Sequence, residues 1–316
     1  MTSFKVGLPF AVAILIAPFS AAAQQSISPT VDGILSVSYG QSDLDGTDLE
    51  REAFMLDSTI SLGNNVSIGV NADHVKNSVD EPFANYDVSL NRFQIEPTYH
   101  FGNNFYVGGF IQSASVSAIT VDFDASGLFA GFDGEKWSAE AYAGRSDMNF
   151  FGGTRTTDSS LHGLSVSYSA SENLEISAHV SQTNLPDIFG GGQHDLKSVA
   201  AFYKIGNGFS IHGALEKFES GMMVGRTKTR AIGVGYNFAE AGISVPGTFM
   251  LEADRSELGS FLESDTIIAS WVVPFGKQTA KPLDSAARSS SGDIRTAYVS
   301  YLSNKTLLGL DLLSID

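Results

Sequence analysis

The 316-residue chain contains no cysteine. That excludes a disulfide scaffold, a thiolate zinc site, a thiol nucleophile and an iron–sulfur protein. Positive charge is scarce: 19 Lys and Arg face 35 Asp and Glu, for a formal net charge of -16. A nucleic-acid partner needs a concentrated basic surface, so that class falls away. Charged residues of both signs make up only 17% of the chain, below the usual ~25% and far from the composition of a disordered segment. Beyond residue 23 no apolar run reaches the ~20 residues of a membrane-spanning helix. What remains is 43% hydrophobic residues, 11% aromatics and 32 glycines, a composition suited to a sheet protein with an apolar outside.

The first 23 residues, MTSFKVGLPFAVAILIAPFSAAA, place Lys5 ahead of an apolar core from Val6 to Phe19, with Ala21 and Ala23 before Gln24. Basic start, short apolar core and small residues at the end are the order of a secretory signal, and the core is too short to span a bilayer. Cleavage is expected after Ala23, and removal takes only Lys5 from the charge balance.

From Val31 onward apolar residues recur at every second position, the signature of a strand with one apolar face. Phe93, Ile95, Pro97, Tyr99 and Phe101 alternate with Arg92, Gln94, Glu96, Thr98 and His100. Leu174, Ile176, Ala178 and Val180 likewise alternate with Glu175, Ser177, His179 and Ser181. About fourteen such segments fall between residues 30 and 276, each of about ten residues, the length of a tilted transmembrane β-strand.

Tight, turn-rich links stand at Gly63–Asn65, Gly102–Asn104, Asp133–Lys136, Ala170–Asn173, Gly206–Gly208 and Ala239–Gly242. Between them, polar stretches at about 40–52, 76–87, 113–122, 146–159, 182–195, 218–226 and 255–263 read as longer loops. Short turns at one end and long loops at the other are the plan of an outer-membrane barrel. Aromatics such as Tyr99, Phe105, Trp137, Tyr168, Tyr236 and Trp271 gather beside the short turns, where an interfacial girdle belongs.

The leader, the alternating strands, the Gly-Asn-Asn turns and segments such as GLFAGFDGEKWSAEAYAGRSD (127–147) together resemble a Gram-negative porin, especially the alphaproteobacterial type. The resemblance covers most of 24–276 and lies in pattern more than in motif. It implies an all-β chain forming a transmembrane antiparallel up-and-down β-barrel, in the outer membrane, passing small hydrophilic solutes without chemistry or cofactor. Porins of this style often assemble as homotrimers. One departure is the C-terminus: the chain ends in Asp316, whereas such barrels commonly end in an aromatic residue. The terminal strand is instead expected at Val273-Pro274-Phe275, giving fourteen strands over 24–276 and a tail over 277–316, or sixteen if 294–302 and 306–313 add a hairpin.

With the apolar parity toward lipid, the other parity lines the lumen, and the candidate pore-lining residues are Asp57, Arg92, Glu96, His100, Glu140, Glu175, His179, Lys204, Glu216 and Glu252. Asp73, Gln94, His212 and Asp254 share that face. The set is mostly acidic, which favours cations over anions. One of the stretches 113–122 or 146–159 is a candidate to fold inward and narrow the pore. Arg226, Lys228 and Arg230 share parity with the lipid-facing Ile232 just beyond the apolar band, positioned for lipopolysaccharide phosphates. The acidic run SDLDGTDLE, with Asp43, Asp45, Asp48 and Glu50, lacks the spacing of an EF-hand and reads as a solvated loop.

Two other readings compete: a non-conducting barrel acting as an adhesin or envelope anchor, and an outer-membrane hydrolase. The hydrolase would need Ser, His and a carboxylate converging at the rim. The six histidines, His74, His100, His162, His179, His194 and His212, are scattered singly, outside any G-x-S-x-G or H-E-x-x-H motif.

Overall fold

The computed structural model describes residues 29–277, apart from 45–46, 82–83, 103, 118–120, 151–154, 186–191, 221–225 and 259–261. The expected export signal and residues 278–316 lie outside the described residues. Fourteen strands follow one another: β1 (Thr30–Leu44), β2 (Thr47–Ser61), β3 (Val66–Glu81), β4 (Ala84–His100), β5 (Phe105–Val116), β6 (Val121–Asp133) and β7 (Trp137–Phe150). They continue as β8 (Arg155–Ser169), β9 (Leu174–Leu185), β10 (Gly192–Gly206), β11 (Phe209–Ser220), β12 (Arg226–Asn237), β13 (Thr248–Leu258) and β14 (Leu262–Phe275). Each pairs antiparallel with its neighbours, and β1 pairs with β14 from Gly33↔Phe275 to Leu44↔Ser264, so the sheet closes into a barrel. Closure at fourteen strands leaves no free edge for a further hairpin. Lys277 N–H donates to Asp32 Oδ1 at 2.5 Å, clasping the end of β14 to the start of β1.

The register fixes which side chains share a face. On β12 the pattern alternates strictly, with Arg226, Lys228, Arg230, Ile232 and Val234 exposed and Thr227, Thr229, Ala231, Gly233 and Gly235 buried. The outward face of every strand is apolar from the short-turn end up to a common level and polar beyond it. The change falls at Tyr39/Gln41, Phe54/Glu52, Ile111/Ser113, Val199/Lys197, Leu215/Lys217, Ile232/Arg230 and Ile267/Asp265, for example. Ile111 and Leu128 are each 70% exposed and Ile232 68%. Water-soluble proteins rarely expose apolar patches beyond a few hundred Å², whereas here the patch is a continuous belt. From Ile267 to Phe275 the belt runs about 26 Å along the strand at ~3.3 Å per residue, which at a tilt of ~40° gives about 20 Å of height, the scale of the ~25 Å apolar band of a transmembrane barrel. A closed barrel also satisfies every ladder hydrogen bond internally, as lipid requires.

Aromatic rings edge this belt at the short-turn end: Trp137 stacks on Tyr168 with ring centroids 4.1 Å apart, and Phe209, Tyr236, Phe238 and Trp271 follow one another at 4.6 to 5.2 Å. The turn between β10 and β11 is tight because Gly206, Asn207 and Gly208 all take positive φ (115°, 51° and 82°), which glycine accepts freely and asparagine better than most residues.

At the other end the structure differs from the sequence expectation. The described residues of the polar stretches at 40–52, 76–87, 113–122, 146–159, 182–195, 218–226 and 255–263 are strand apart from Ser117: β1 and β2, for instance, run to Leu44 and from Thr47. Conversely, the link expected at Ala239–Gly242 is longer than expected and spans 238–247. The cause is physical. Hydropathy alternates only where one face meets lipid; beyond the belt both faces meet polar surroundings while the backbone ladder continues. A 15-residue strand such as β1 is about 50 Å long, more than a tilted crossing of a ~25 Å band needs. The barrel therefore carries a polar collar above the belt. Among the described residues of 113–122 and 146–159, none leaves the wall to form an inward loop: 113–116 belong to β5, 121–122 to β6, 146–150 to β7 and 155–159 to β8.

Candidate functional site: the barrel interior and its mouth

All ten candidate pore-lining residues occupy the inward parity. Pairing carries the inward face from Asp57 through Asn71 to Gln94, from His100 through Tyr106 and Gly131 to Glu140, and from Glu175 through Phe202, His212 and Gly233 to Glu252. His179 and Glu216 flank Ser198 on one row, while Lys204 faces Ser210. Their surroundings differ with height. Toward the short-turn end Asp57 and His100 are exposed and Glu96, Glu140, Glu175 and Lys204 half-buried; Glu216, farther along the wall, is also half-buried. Arg92, His179 and Glu252 are buried, as are Asp73, Gln94 and His212.

Two contacts tie down buried inward carboxylates. Arg92 Nη2 meets Asp73 across the β3–β4 pair, with both side chains almost wholly buried. His212 Nε2 donates to Glu252 Oε2 at 2.7 Å although the two stand two strands apart. Gly233 lies between them, and a Cβ there would sit 2.3 Å from His212 Cε1. Only a residue without a side chain lets the imidazole cross β12. The same device recurs on the opposite wall: Tyr106 Oη donates to Glu140 Oε2 at 3.0 Å over Gly131, where a Cβ would come within 2.2 Å of the Tyr106 ring. Isolated charges are costly to bury, so such pairs brace the wall.

Around the mouth at the short-turn end the inward side chains leave a cavity of about 610 Å³. Glu96, Asp133 and Glu140 line it with His100, Tyr106 and Phe129, and neither Lys nor Arg is among its lining residues. His100 Nε2 and Ser67 Oγ are 2.9 Å apart, and the Gln94 amide donates to Glu96. Higher up, the wall between β5 and β8 is apolar: Phe110, Phe123, Phe129, Tyr142 and Leu161 are all buried and inward. The alternation argument did not single these out, because it sought polar residues on the inward parity.

Arg226, Lys228 and Arg230 project outward in the collar, just past Ile232. Arg226 pairs with Glu219 at 2.7 Å and Arg230 with Glu257 at 3.3 Å. Lys228 faces Lys217, which faces Lys197, so three lysines stand side by side on neighbouring strands. Lys217 and Arg226, in that order of hydrogen bonding, hold the Glu219 carboxyl below its ordinary range. Beside them Arg230 and Arg255 overhang a groove of about 910 Å³ on the outer wall, whose lining includes Tyr39, Ile232, Ala253, Ile267 and Ala269. In the acidic run, Asp43 and Asp48 are register partners on the outward face of β1 and β2.

The histidines fall on both faces. His74 bonds Asn91 at 2.8 Å and His162 bonds Gln182 at 2.9 Å, both outward. The inward Ser198–His179 contact (2.9 Å) and the His212–Glu252 pair lie on different rows of the wall, so these four do not line up as a Ser–His–carboxylate relay.

A closed antiparallel barrel with an apolar belt, an aromatic girdle and charged inward residues defines the outer-membrane barrel class. Among solved structures, the chain is similar to an anion-selective porin from Comamonas acidovorans, with a TM-score of 0.53 and 13% identity over 78% of this chain and 99% of that one. It is also similar to the CymD monoaromatic hydrocarbon channel, with a TM-score of 0.50 and 11% identity over 79% of this chain and 89% of that one. At such identities the likeness is one of fold. No family model and no curated protein sequence matches the chain.

Proposed function

We propose that the protein is a passive diffusion channel of the outer membrane for small hydrophilic solutes and ions, exported by the N-terminal signal and preferring cations. The observation that carries this reading is the coincidence, in one closed barrel, of a continuous apolar belt outside with charged and polar side chains inside. Cation preference rests on the exposed and half-buried inward groups: Asp57, Glu96, Glu140, Glu175 and Glu216 outnumber Lys204, whose ammonium is already 3.3 Å from Glu240. The buried Asp73–Arg92 pair is neutral overall. Rings of carboxylates in a pore favour cations. No step of bond making is involved. The outward Arg226, Lys228 and Arg230, just beyond the apolar belt, are the groups that would meet anionic lipopolysaccharide phosphates; the groove beside them carries Asp43, Asp48 and Asp265 as well as Arg230 and Arg255, and is left out of that contact. A homotrimer, seated belt to belt, is the assembly expected from the resemblance to porins.

The test is single-channel conductance of the refolded protein from Gln24 in a planar bilayer under a KCl gradient. Stable open steps with a cation-selective reversal potential support the proposal, and an anion-selective potential overturns its charge reading. The close packing of inward residues such as Ile34, Met250, Phe218 and Val272 favours a second reading, a non-conducting barrel serving as an adhesin or envelope anchor. That reading requires a folded, heat-modifiable barrel that never opens.

A further inference from the structure

The mouth cavity combines features that a simple fixed-charge vestibule does not require. Its about 610 Å³ lies within the size range of small-molecule sites, ~300–1,000 Å³. Negative charge comes from Glu96, Asp133 and Glu140, and no Lys or Arg lines it. Beside these carboxylates lies an aromatic series: the Tyr106 ring stands 5.9 Å from the His100 ring and 6.2 Å from the Phe129 ring. Gly131 permits this arrangement, because it lets Tyr106 lie along the wall with its hydroxyl on Glu140. That bond fixes the ring and makes the Glu140 carboxyl its acceptor, so a flat apolar surface and an acidic group are held side by side.

We propose that this cavity is a binding vestibule for small organic cations with a flat apolar body, that is, aromatic or similarly planar ammonium compounds. The ammonium is held by Glu140 with Glu96 or Asp133, and the planar body lies against Tyr106, which the buried Phe129 backs from within the wall. Ring faces attract cations and stack on planar groups, so both halves of such a solute are recognised. This inference rests on the channel reading for its physiological sense, since it names the solute class that the channel would concentrate at one mouth.

The experiment is calorimetric titration of the refolded, heat-modifiable barrel in detergent with three probes: phenethylammonium, ethylammonium and phenylacetate. Phenethylammonium is expected to bind at least about fivefold more tightly than ethylammonium, the factor that one ring contact of ~1 kcal/mol supplies, and phenylacetate is expected not to bind. Glu140→Gln, which keeps an acceptor for Tyr106, should weaken phenethylammonium by about tenfold, as should Glu96→Gln combined with Asp133→Asn if Glu140→Gln fails to fold. Tyr106→Leu should remove the preference over ethylammonium while sparing ethylammonium itself. Equal binding of the two amines reduces the cavity to a charged mouth and overturns the proposal, as does binding of phenylacetate. Binding is read without transport, so a barrel that binds the amine yet never conducts keeps this inference and loses the channel, while one that conducts without binding does the reverse.

Discussion

The mouth and the middle of the barrel interior use the same residue types to opposite ends. At the mouth, Glu96, Glu140 and His100 keep contact with the open cavity; Gln94 donates to Glu96, Tyr106 donates to Glu140, and Ser67 lies within hydrogen-bond distance of His100. In the middle, Asp73 is matched to Arg92 with hardly any exposure, and nearer the short turns Glu252 is closed against His212 in the same way. A carboxylate that faces water projects its field onto its surroundings, whereas Asp73, closed against the Arg92 guanidinium, has that field cancelled and stiffens the wall instead. On the proposed channel reading, selectivity falls to the mouth and stability to the middle, although a charge census of the inward face would have treated both alike.

The comparison can be broken most forcefully in the middle. Arg92→Ala strands the Asp73 carboxylate away from water and is expected to destabilise the barrel by about 3–5 kcal/mol, seen as a lower unfolding midpoint in urea with lipid vesicles. If Arg92→Ala unfolds like the parent while shifting the reversal potential, the middle is not a brace. Next in size is a reference on a third surface: Leu128→Arg, on the lipid-facing side of β6, should cost about 2–4 kcal/mol if the residue lies near the bilayer midplane, by the same assay and with conductance unchanged. A null result there would move the belt.

The mouth should respond in the other observable. Glu96→Gln with Glu140→Gln is expected to change stability by less than about 1 kcal/mol, as partly exposed substitutions do, yet to pull the KCl reversal potential measurably toward zero. A large loss of stability with unchanged selectivity would exchange the two roles. The smallest expected effect lies in the collar, at His194, which is buried against Phe218 with rings 6.0 Å apart. Burial, only partly offset by Asp195, pushes its pKa below 6.5. The unfolded chain then takes up the proton first, so stability should fall as pH drops from about 6.5 toward the lower folded value and level off below it. His194→Gln should flatten that slope in pH-resolved unfolding; an unaltered slope would assign it to other groups.

Much of this architecture was legible in the chain. Period-two alternation located fourteen strands, and parity put Asp57, Glu96, Glu140, Glu216 and the other lumen candidates on one face, because lipid on one side forces an apolar residue at every second position. The same signal goes silent where lipid ends, which is why the collar strands read as loops. The inward aromatics escaped for a related reason: Phe110 and Tyr142 sit on the face expected to be polar. The bridging role of Gly131 and Gly233 depends on which residues stand across from them on the neighbouring strands, a non-local fact that no window of sequence contains.

The seam between β1 and β14 bears on how the molecule comes into being. Ser38 Oγ and Ser270 Oγ meet at 2.7 Å across 232 positions of chain, so the first strand has no partner on that side until nearly the last strand exists. Until then β1 offers a row of unpaired amides and carbonyls, the kind of edge that recruits other chains, and the cost of closing so long a loop falls on a single late event. A chain cut short anywhere before residue 262 is therefore expected to yield not a narrower barrel but an open, self-associating sheet, which makes assembly all or nothing.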